Sequence, residues 1–265
     1  MKVALAQICT TDDVAANLEQ VAARVAEAAA RGAELVVFPE ATMCAFGHPL
    51  GGIAEPLDGG FARRVEQLGR EHDIHVVLGM FTPSQDGSRV RNTLLMAGPS
   101  GRFGYDKIHL YDAFGFQESR TVEPGSEPVC FPLGSTRLGA AICYDVRFSQ
   151  LFVHNARAGA TVQLVCASWG AGPGKVEQWQ LVCRARAVDS TCFVLACGQA
   201  EPAASGVDAV EGAPTGVGHS MVVSPLGEVL AEAGEAPELL VAEIDLGEVE
   251  QVRQTLPVLA NARLS

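Results

Sequence analysis

Aromatic residues are scarce in this chain, 6% of 265 residues, and two of them are tryptophan. Its interior must therefore be filled by Ala, Val and Leu, which the 48% hydrophobic content supplies. Basic residues are also in deficit, 19 Lys and Arg against 31 Asp and Glu, for a formal net charge of -12. That charge excludes nucleic acid or an anionic membrane surface as the main partner, although a pocket of opposite local charge can still take a small anion. No run reaches the ~18 apolar residues of a membrane span. The N-terminal MKVALAQICTTDD carries one Lys and a short apolar run broken by two Asp. It reads as a first strand rather than a signal peptide.

Other absences remove whole function classes. None of the eight cysteines forms a C-x-x-C pair, and Cys9, Cys143, Cys166 and Cys197 lie in apolar runs. The pattern is that of reduced thiols in a cytoplasmic protein, not of a secreted disulfide framework. No G-x-G-x-x-G follows the first strand and no G-x-S-x-G occurs, so a dinucleotide site and a serine-hydrolase elbow both lack support. GAGPGK at 170–175 fails as a phosphate loop. Its first glycine is one place too close to Lys175, and Val176 stands where Ser or Thr would bind magnesium. His72 and His75 span a helix-to-strand junction with no third ligand nearby, so no metal is expected there.

What is present is an alternation of strand-like and helical patterns. KVALAQI, AELVVFPE, IHVVLGMF, TRLGAAI, TVQLVCASW and TCFVLACGQ are apolar runs that read as buried strands. Between the first two, Leu18, Val21, Ala22, Val25, Ala28 and Ala29 recur at helical spacing, after capping residues at 10–13 and before Gly32. GGFARRVEQLGREHD, FSQLFVHNARAG, VEQWQLVCRARAVDS and DLGEVEQVRQTL read as further helices. VRNTLLMAGPSGRFGYDK and GHSMVVSPLGEVLAEAG read as hairpins, and PELLVAEIDL as the last strand. The Ala/Gly/Pro-rich stretch 201–217 reads as a surface loop. No linker divides the chain, so residues 1–265 are expected to form one domain of the α/β class. Alternation alone fits a doubly wound sheet as well as other layered folds.

Three segments carry the chemistry: ELVVFPE ending at Glu40, YDKIHL around Lys107, and LGAAICYDVRF around Cys143. In α/β sheets reactive groups gather beyond the carboxyl ends of strands, so Glu40 and Cys143 are expected on one rim. A carboxylate, an ammonium and a thiol are what hydrolysis of an amide or nitrile through a thioester requires. The thiol must lose a proton, a base must take it, and a fixed cation must hold the oxyanion. A nearby Lys107 is expected to lower the thiol's pKa. His109 is the alternative base of a Cys–His pair. Asp145 and Arg147 are expected to brace the turn around Cys143, and His219 to be a structural hydrogen-bonding residue.

VVFPE, YDKIHL and ICYDVRF resemble the Glu, Lys and Cys motifs of the nitrilase (carbon–nitrogen hydrolase) superfamily in order, flanking residues and approximate spacing. The resemblance extends over nearly the whole chain, through NTLLMAGPSG, FQESRTVEPG, RARAVDSTCFVLACGQ and GHSMVVSPLGEVLAEAG. The last two are most similar to the Nit-type amidases, the branch with omega-amidase and deaminated-glutathione amidase. It implies a four-layer α-β-β-α sandwich, pseudo-symmetric in its halves, and a reaction that needs no cofactor. It implies Glu40 as general base, Lys107 as oxyanion-stabilising cation and Cys143 as nucleophile. Glu118 would position the lysine and substrate, and the Tyr144 N–H would complete the oxyanion hole.

The implied reaction is cleavage of a small primary amide to carboxylate and ammonia. N-carbamoyl amidohydrolase and nitrilase share the same residues and stay open as alternatives; a non-catalytic interaction protein would lack one of the three. CASWGAGPGKVEQW departs from the branch's Thr-Gly-Pro-x-His-Trp ending: Trp179 is kept, but Gln178 stands in place of the His. Trp169 and Gly170 there are expected to border the acyl pocket. The family habit of self-association implies a homodimer, although TLPVLANARLS lacks the common Arg-Pro-Asp-Leu-Tyr ending.

Overall fold

In the computed structural model, residues 1–113 and 115–263 are described. The first half runs β1 (Lys2–Gln7), α1 (Val14–Ala30), β2 (Leu35–Val37), α2 (Gly60–Glu71), β3 (His75–Pro83), β4 (Val90–Gly98) and β5 (Gly101–Asp106). A short ribbon of β6 (Asp112–Ala113) and β7 (Phe116–Gln117) follows. The second half runs β8 (Cys130–Leu133), β9 (Thr136–Ile142), α3 (Ser149–Arg157), β10 (Val162–Ala167), α4 (Lys175–Ser190) and β11 (Phe193–Gly198). It continues through β12 (Met221–Val223), β13 (Val229–Glu232), β14 (Glu238–Glu243) and α5 (Gly247–Thr255).

The strands form two six-stranded sheets, ordered β14-β1-β2-β3-β4-β5 and β13-β12-β11-β10-β9-β8. Each has three parallel strands at its centre, β1-β2-β3 and β9-β10-β11, joined by helical crossovers. Each continues on one side as an antiparallel pair and is closed on the other by one antiparallel strand. The two halves thus repeat one plan. β14 is the exception to sequence order: it returns from the second half to pair with β1 from Lys2↔Glu243 to Gln7↔Glu238.

Side-chain alternation sets the layers. Val3 and Leu5 of β1 face the second sheet and pack in one core with Leu138, Ala140 and Leu164. Ala4 and Ala6 face the other way, onto Val21 and Val25 of α1 and Phe61 and Val65 of α2. Trp179, Cys183 and Ala187 of α4 cover the outer face of the second sheet. The result is the four-layer α-β-β-α order. α1 begins where Asp13 accepts from the N–H groups of Ala15 and Ala16 at 2.9 and 3.0 Å, and it stops at Gly32, whose φ is +78°. The run AELVVFPE yields only a three-residue strand, because from Phe38 onward its backbone turns away to present Glu40.

Candidate active site

Glu40 follows β2 on a turn pressed against β3. Phe38 N–H donates to the Val77 carbonyl at 2.7 Å, and Gly79 N–H donates to the Pro39 carbonyl at 3.0 Å. Gly79 has to be glycine: a Cβ there would stand 2.5 Å from Ala41 N and 2.7 Å from Glu40 Cα. From the second sheet, Gln199 just past β11 donates its Nε2 to the Glu40 carbonyl and to Thr10 Oγ1, both at 2.9 Å.

Cys143 follows β9 with φ of +46°. A non-glycine residue holds that left-handed conformation at a cost of ~1–3 kcal/mol, so the surroundings must enforce it. Asp145 does so. Its buried carboxylate accepts from the Ile142 N–H at 2.9 Å, the Tyr105 hydroxyl at 2.7 Å and the His109 N–H at 2.9 Å. The His109 ring adds a contact at 2.7 Å through Nδ1 and stacks on Phe148. Residues 105–109 also carry Lys107, so one carboxylate fixes the thiol turn to the lysine segment.

Lys107 Nζ donates to Glu40 Oε1 at 2.9 Å and to Glu118 Oε1 and Oε2 at 3.0 and 2.9 Å, with all three side chains no more than 2% exposed. Glu118 is fixed by the Tyr111 N–H on Oε2 at 2.7 Å, and Glu40 by the Ser168 N–H on Oε2 at 2.7 Å. Glu40, Lys107, Glu118 and Cys143 line one cavity, and the Cys143 Sγ lies 3.8 Å from the Ser168 carbonyl. The structure thus brings together the three residues of the sequence motifs and Glu118. Tyr144, Trp169 and Gly170 line the same cavity.

Burial pushes the Glu40 carboxyl above its ordinary pKa; Lys107 opposes the shift, and the Glu118 charge adds to it. Burial alone would drive the Lys107 ammonium down, but the charges of Glu118 and Glu40 outweigh it and hold its pKa well up. Burial also raises the Cys143 thiol well above its ordinary value, and the Glu40 charge adds to the rise. Lys107 does lower it, as expected from sequence, but that pull is the smaller one. These directions favour a protonated thiol on Cys143 and a protonated Lys107.

One expectation changes. Arg147 does not brace its turn: it lines the cavity, donates to Gln178 Oε1 at 3.0 Å and sits 5.3 Å above the Trp169 ring. His109, the alternative base, is committed to Asp145. Trp169 walls the cavity and also packs on Trp179 with ring centroids 5.3 Å apart. His75 starts β3, at the far rim from Glu40, and contacts Ser100. His219 bonds Trp179 Nε1 through its carbonyl and contacts Glu232 through its ring.

Sequence reasoning missed Asn92 and Ser168. Asn92 and Thr93 form a polar pair inside the apolar strand β4, which is a readable signal. Ser168 contributes a backbone N–H, which leaves none.

The carbon–nitrogen hydrolase family model matches residues 2–254. A Mycobacterium tuberculosis protein named as a hydrolase is 55% identical over 267 residues, 98% of this chain and 95% of that protein. The deaminated glutathione amidase of Escherichia coli O157:H7 is 34% identical over 271 residues, 100% of this chain and 98% of that one. The human omega-amidase NIT2 is 31% identical over 274 residues, 99% of this chain and 95% of that one. Among solved structures, Saccharomyces cerevisiae Nit3, a member of branch 10 of the nitrilase superfamily, superimposes with a TM-score of 0.86 at 27% identity, covering 100% of this chain and 97% of that one. The Caenorhabditis elegans NitFhit protein does so with a TM-score of 0.87 at 30% identity, covering 99% of this chain and 65% of that one. With its two-sheet architecture and a Glu, Lys and Cys gathered in one buried cavity, the chain belongs to the carbon–nitrogen hydrolase family and is a hydrolase of the nitrilase superfamily.

Proposed function

We propose that the chain is a thiol amidohydrolase that cleaves a small primary amide to a carboxylate and ammonia through a Cys143 thioester, as one catalytic unit along its length. The observation that carries this reading is the convergence of Glu40, Lys107 and Cys143, from three separate segments, in one cavity. As the substrate carbonyl arrives, Glu40 takes the thiol proton and Cys143 Sγ attacks the amide carbon. Oε2 is the oxygen for that proton, since Oε1 already accepts from both Lys107 and Asn92 while Oε2 accepts the Ser168 N–H. Negative charge develops on the carbonyl oxygen, where the Lys107 ammonium and the Tyr144 N–H stabilise it. Lys107 has three hydrogens and three carboxylate contacts, so the oxyanion displaces one Glu118 oxygen. Glu40 returns the proton to the leaving nitrogen, ammonia departs, and Glu40 then activates water against the thioester.

The substrate we propose is a small aliphatic amide with a carboxylate at its far end. Arg147 and Lys175 line the cavity beyond the thiol, a cationic rim in a chain of net charge -12. Eight free cysteines fit a reducing compartment, the cytoplasm. We further propose a homodimer, for which the exposed apolar side chains Leu181, Val188, Leu226 and Leu230 speak.

Ammonia release across ω-amides, deaminated glutathione, N-carbamoyl compounds and nitriles tests the reading. A primary amide should be the preferred substrate, and Cys143→Ala should abolish its turnover with the fold intact. Near wild-type activity in that variant refutes the thioester route. Faster turnover of nitriles or carbamoyl compounds than of every amide refutes the amidase reading.

A further inference from the structure

Asn92 lies on β4, between β3, which passes the Glu40 turn, and β5, which leads into the lysine segment; it pairs with Phe81 and is fully buried. Its backbone carbonyl accepts the Lys107 N–H at 2.9 Å. Its side-chain Nδ2 donates to Glu40 Oε1 at 2.8 Å and to Glu118 Oε1 at 3.2 Å. Those are the two oxygens that also accept from Lys107 Nζ, at 2.9 and 3.0 Å. The four atoms close a ring in which two carboxylates alternate with two donors, one charged and one neutral.

The ring fixes the orientation of the amide. Turned over, Asn92 would aim its oxygen at two carboxylates and repel both. As it stands, Oδ1 is buried with no hydrogen-bond partner among the described residues. Leaving a buried amide oxygen unpaired is costly, and such an orphan calls for a reason. Here both N–H bonds are spent on carboxylates that would otherwise repel each other across a single ammonium.

We infer that Asn92 is a positioning residue for the hydrolysis: it ties the base Glu40 to Glu118 and keeps Glu40 ionised, with Oε2 turned to the thiol. A lone lysine could satisfy both carboxylates only by giving up its freedom to meet the oxyanion. With Asn92 as second donor, Lys107 can release one Glu118 contact without the pair of carboxylates separating. The inference rests on the Glu40–Cys143 chemistry proposed above.

Its test is the pH profile of kcat/KM for Asn92→Ala and Asn92→Asp beside wild type and Cys143→Ala. Loss of a hydrogen bond to a charged group should raise the acid limb by about one pH unit in Asn92→Ala, with a fall of about tenfold or more at the plateau. The isosteric Asn92→Asp should be worse, because it keeps the volume, removes both donors and adds a third carboxylate. A packing role makes the opposite forecast, with the isosteric change the milder. In the unsubstituted protein, with its asparagines 15N-labelled, the Asn92 side-chain amide should shift through the same pH range as the acid limb. An acid limb unmoved in Asn92→Ala, or an Asn92 amide that does not shift, overturns the inference while leaving the thioester reading intact. Activity retained in Cys143→Ala would instead overturn the reading itself.

Discussion

At the scale of single residues, the direction of the pKa shifts decides how the site works. The base role proposed for Glu40 requires its ionised form, and burial raises its pKa in the folded chain. Activity should therefore fall as pH drops through a value above the ordinary glutamate range near ~4.3, and a kcat/KM profile with its acid limb at or below that value would contradict the assignment. The raised thiol makes a second forecast. Alkylation of Cys143 by iodoacetamide in the substrate-free enzyme should keep accelerating up to and beyond the ordinary thiol value of ~8.5, with no plateau at neutral pH. A neutral plateau would mean a preformed thiolate. Lys107→Met and Glu40→Gln should each lower kcat by about 10²-fold or more, and Lys107→Arg should fail too, since a planar fork cannot occupy a niche shaped by three contacts to a compact ammonium. Glu40, Lys107 and Cys143 were legible because each closes or follows an apolar run with its own flanking motif. Ser168 was not, because any residue but proline could offer the same N–H. Arg147 was misjudged because a basic residue near a turn says nothing about which neighbour it reaches.

At the scale of elements, strands were readable where they lie in the middle of a sheet and apolar side chains fill both faces. Edges were harder. β8 holds only CFPL, and its Pro132 removes a ladder donor, which an edge strand tolerates and a central one does not. β14 was visible as a strand, but its partner was not. Its pairing with β1 depends on the chain returning across the whole second half, and no local pattern records that. Close approach between elements is the other hidden term. β3 passes the Glu40 turn only because position 79 has no Cβ. Gly79→Ala should push residues 38–41 outward and move the Glu40 carboxylate. Misplacing a reacting group by about 1 Å can cost 10²-fold in rate, and forcing extra volume into a packed core costs ~1–3 kcal/mol. We expect Gly79→Ala to lower kcat by at least tenfold and to depress Tm by several degrees. A variant with wild-type kcat would show that the turn is not held by this contact.

At the scale of the whole molecule, the site exists because two similar sheets meet with the carboxyl ends of their parallel strands on one rim. Glu40 and Lys107 come from the first sheet, Cys143 and Ser168 from the second, and the Ser168–Glu40 bond crosses between them. The outer helix layer carries the remaining question of assembly. On α4, Leu181 and Val188 are seven residues apart and 67% and 39% exposed. Beside them, Leu226 in the β12–β13 turn is 58% exposed and Leu230 on β13 is 44% exposed. α4 is joined to this hairpin where Arg184 Nε donates to the Gly227 carbonyl at 2.8 Å and Val188 stands over Gly227. Helix and hairpin thus bring four exposed apolar side chains to the outer layer of a chain of net charge -12. Copies of net charge -12 repel at long range, so they pair only where apolar area outweighs that repulsion, and a stable interface takes about 800 Å² from each partner. Sedimentation should give the mass of a dimer. It should become easier to dissociate at low salt, where the like charges are less screened. Leu181→Glu with Leu226→Glu should shift the mass to that of a monomer without unfolding the chain, because both side chains are largely in solvent. A wild-type monomer, or a doubly substituted chain that sediments as the wild type does, would remove this face from the assembly.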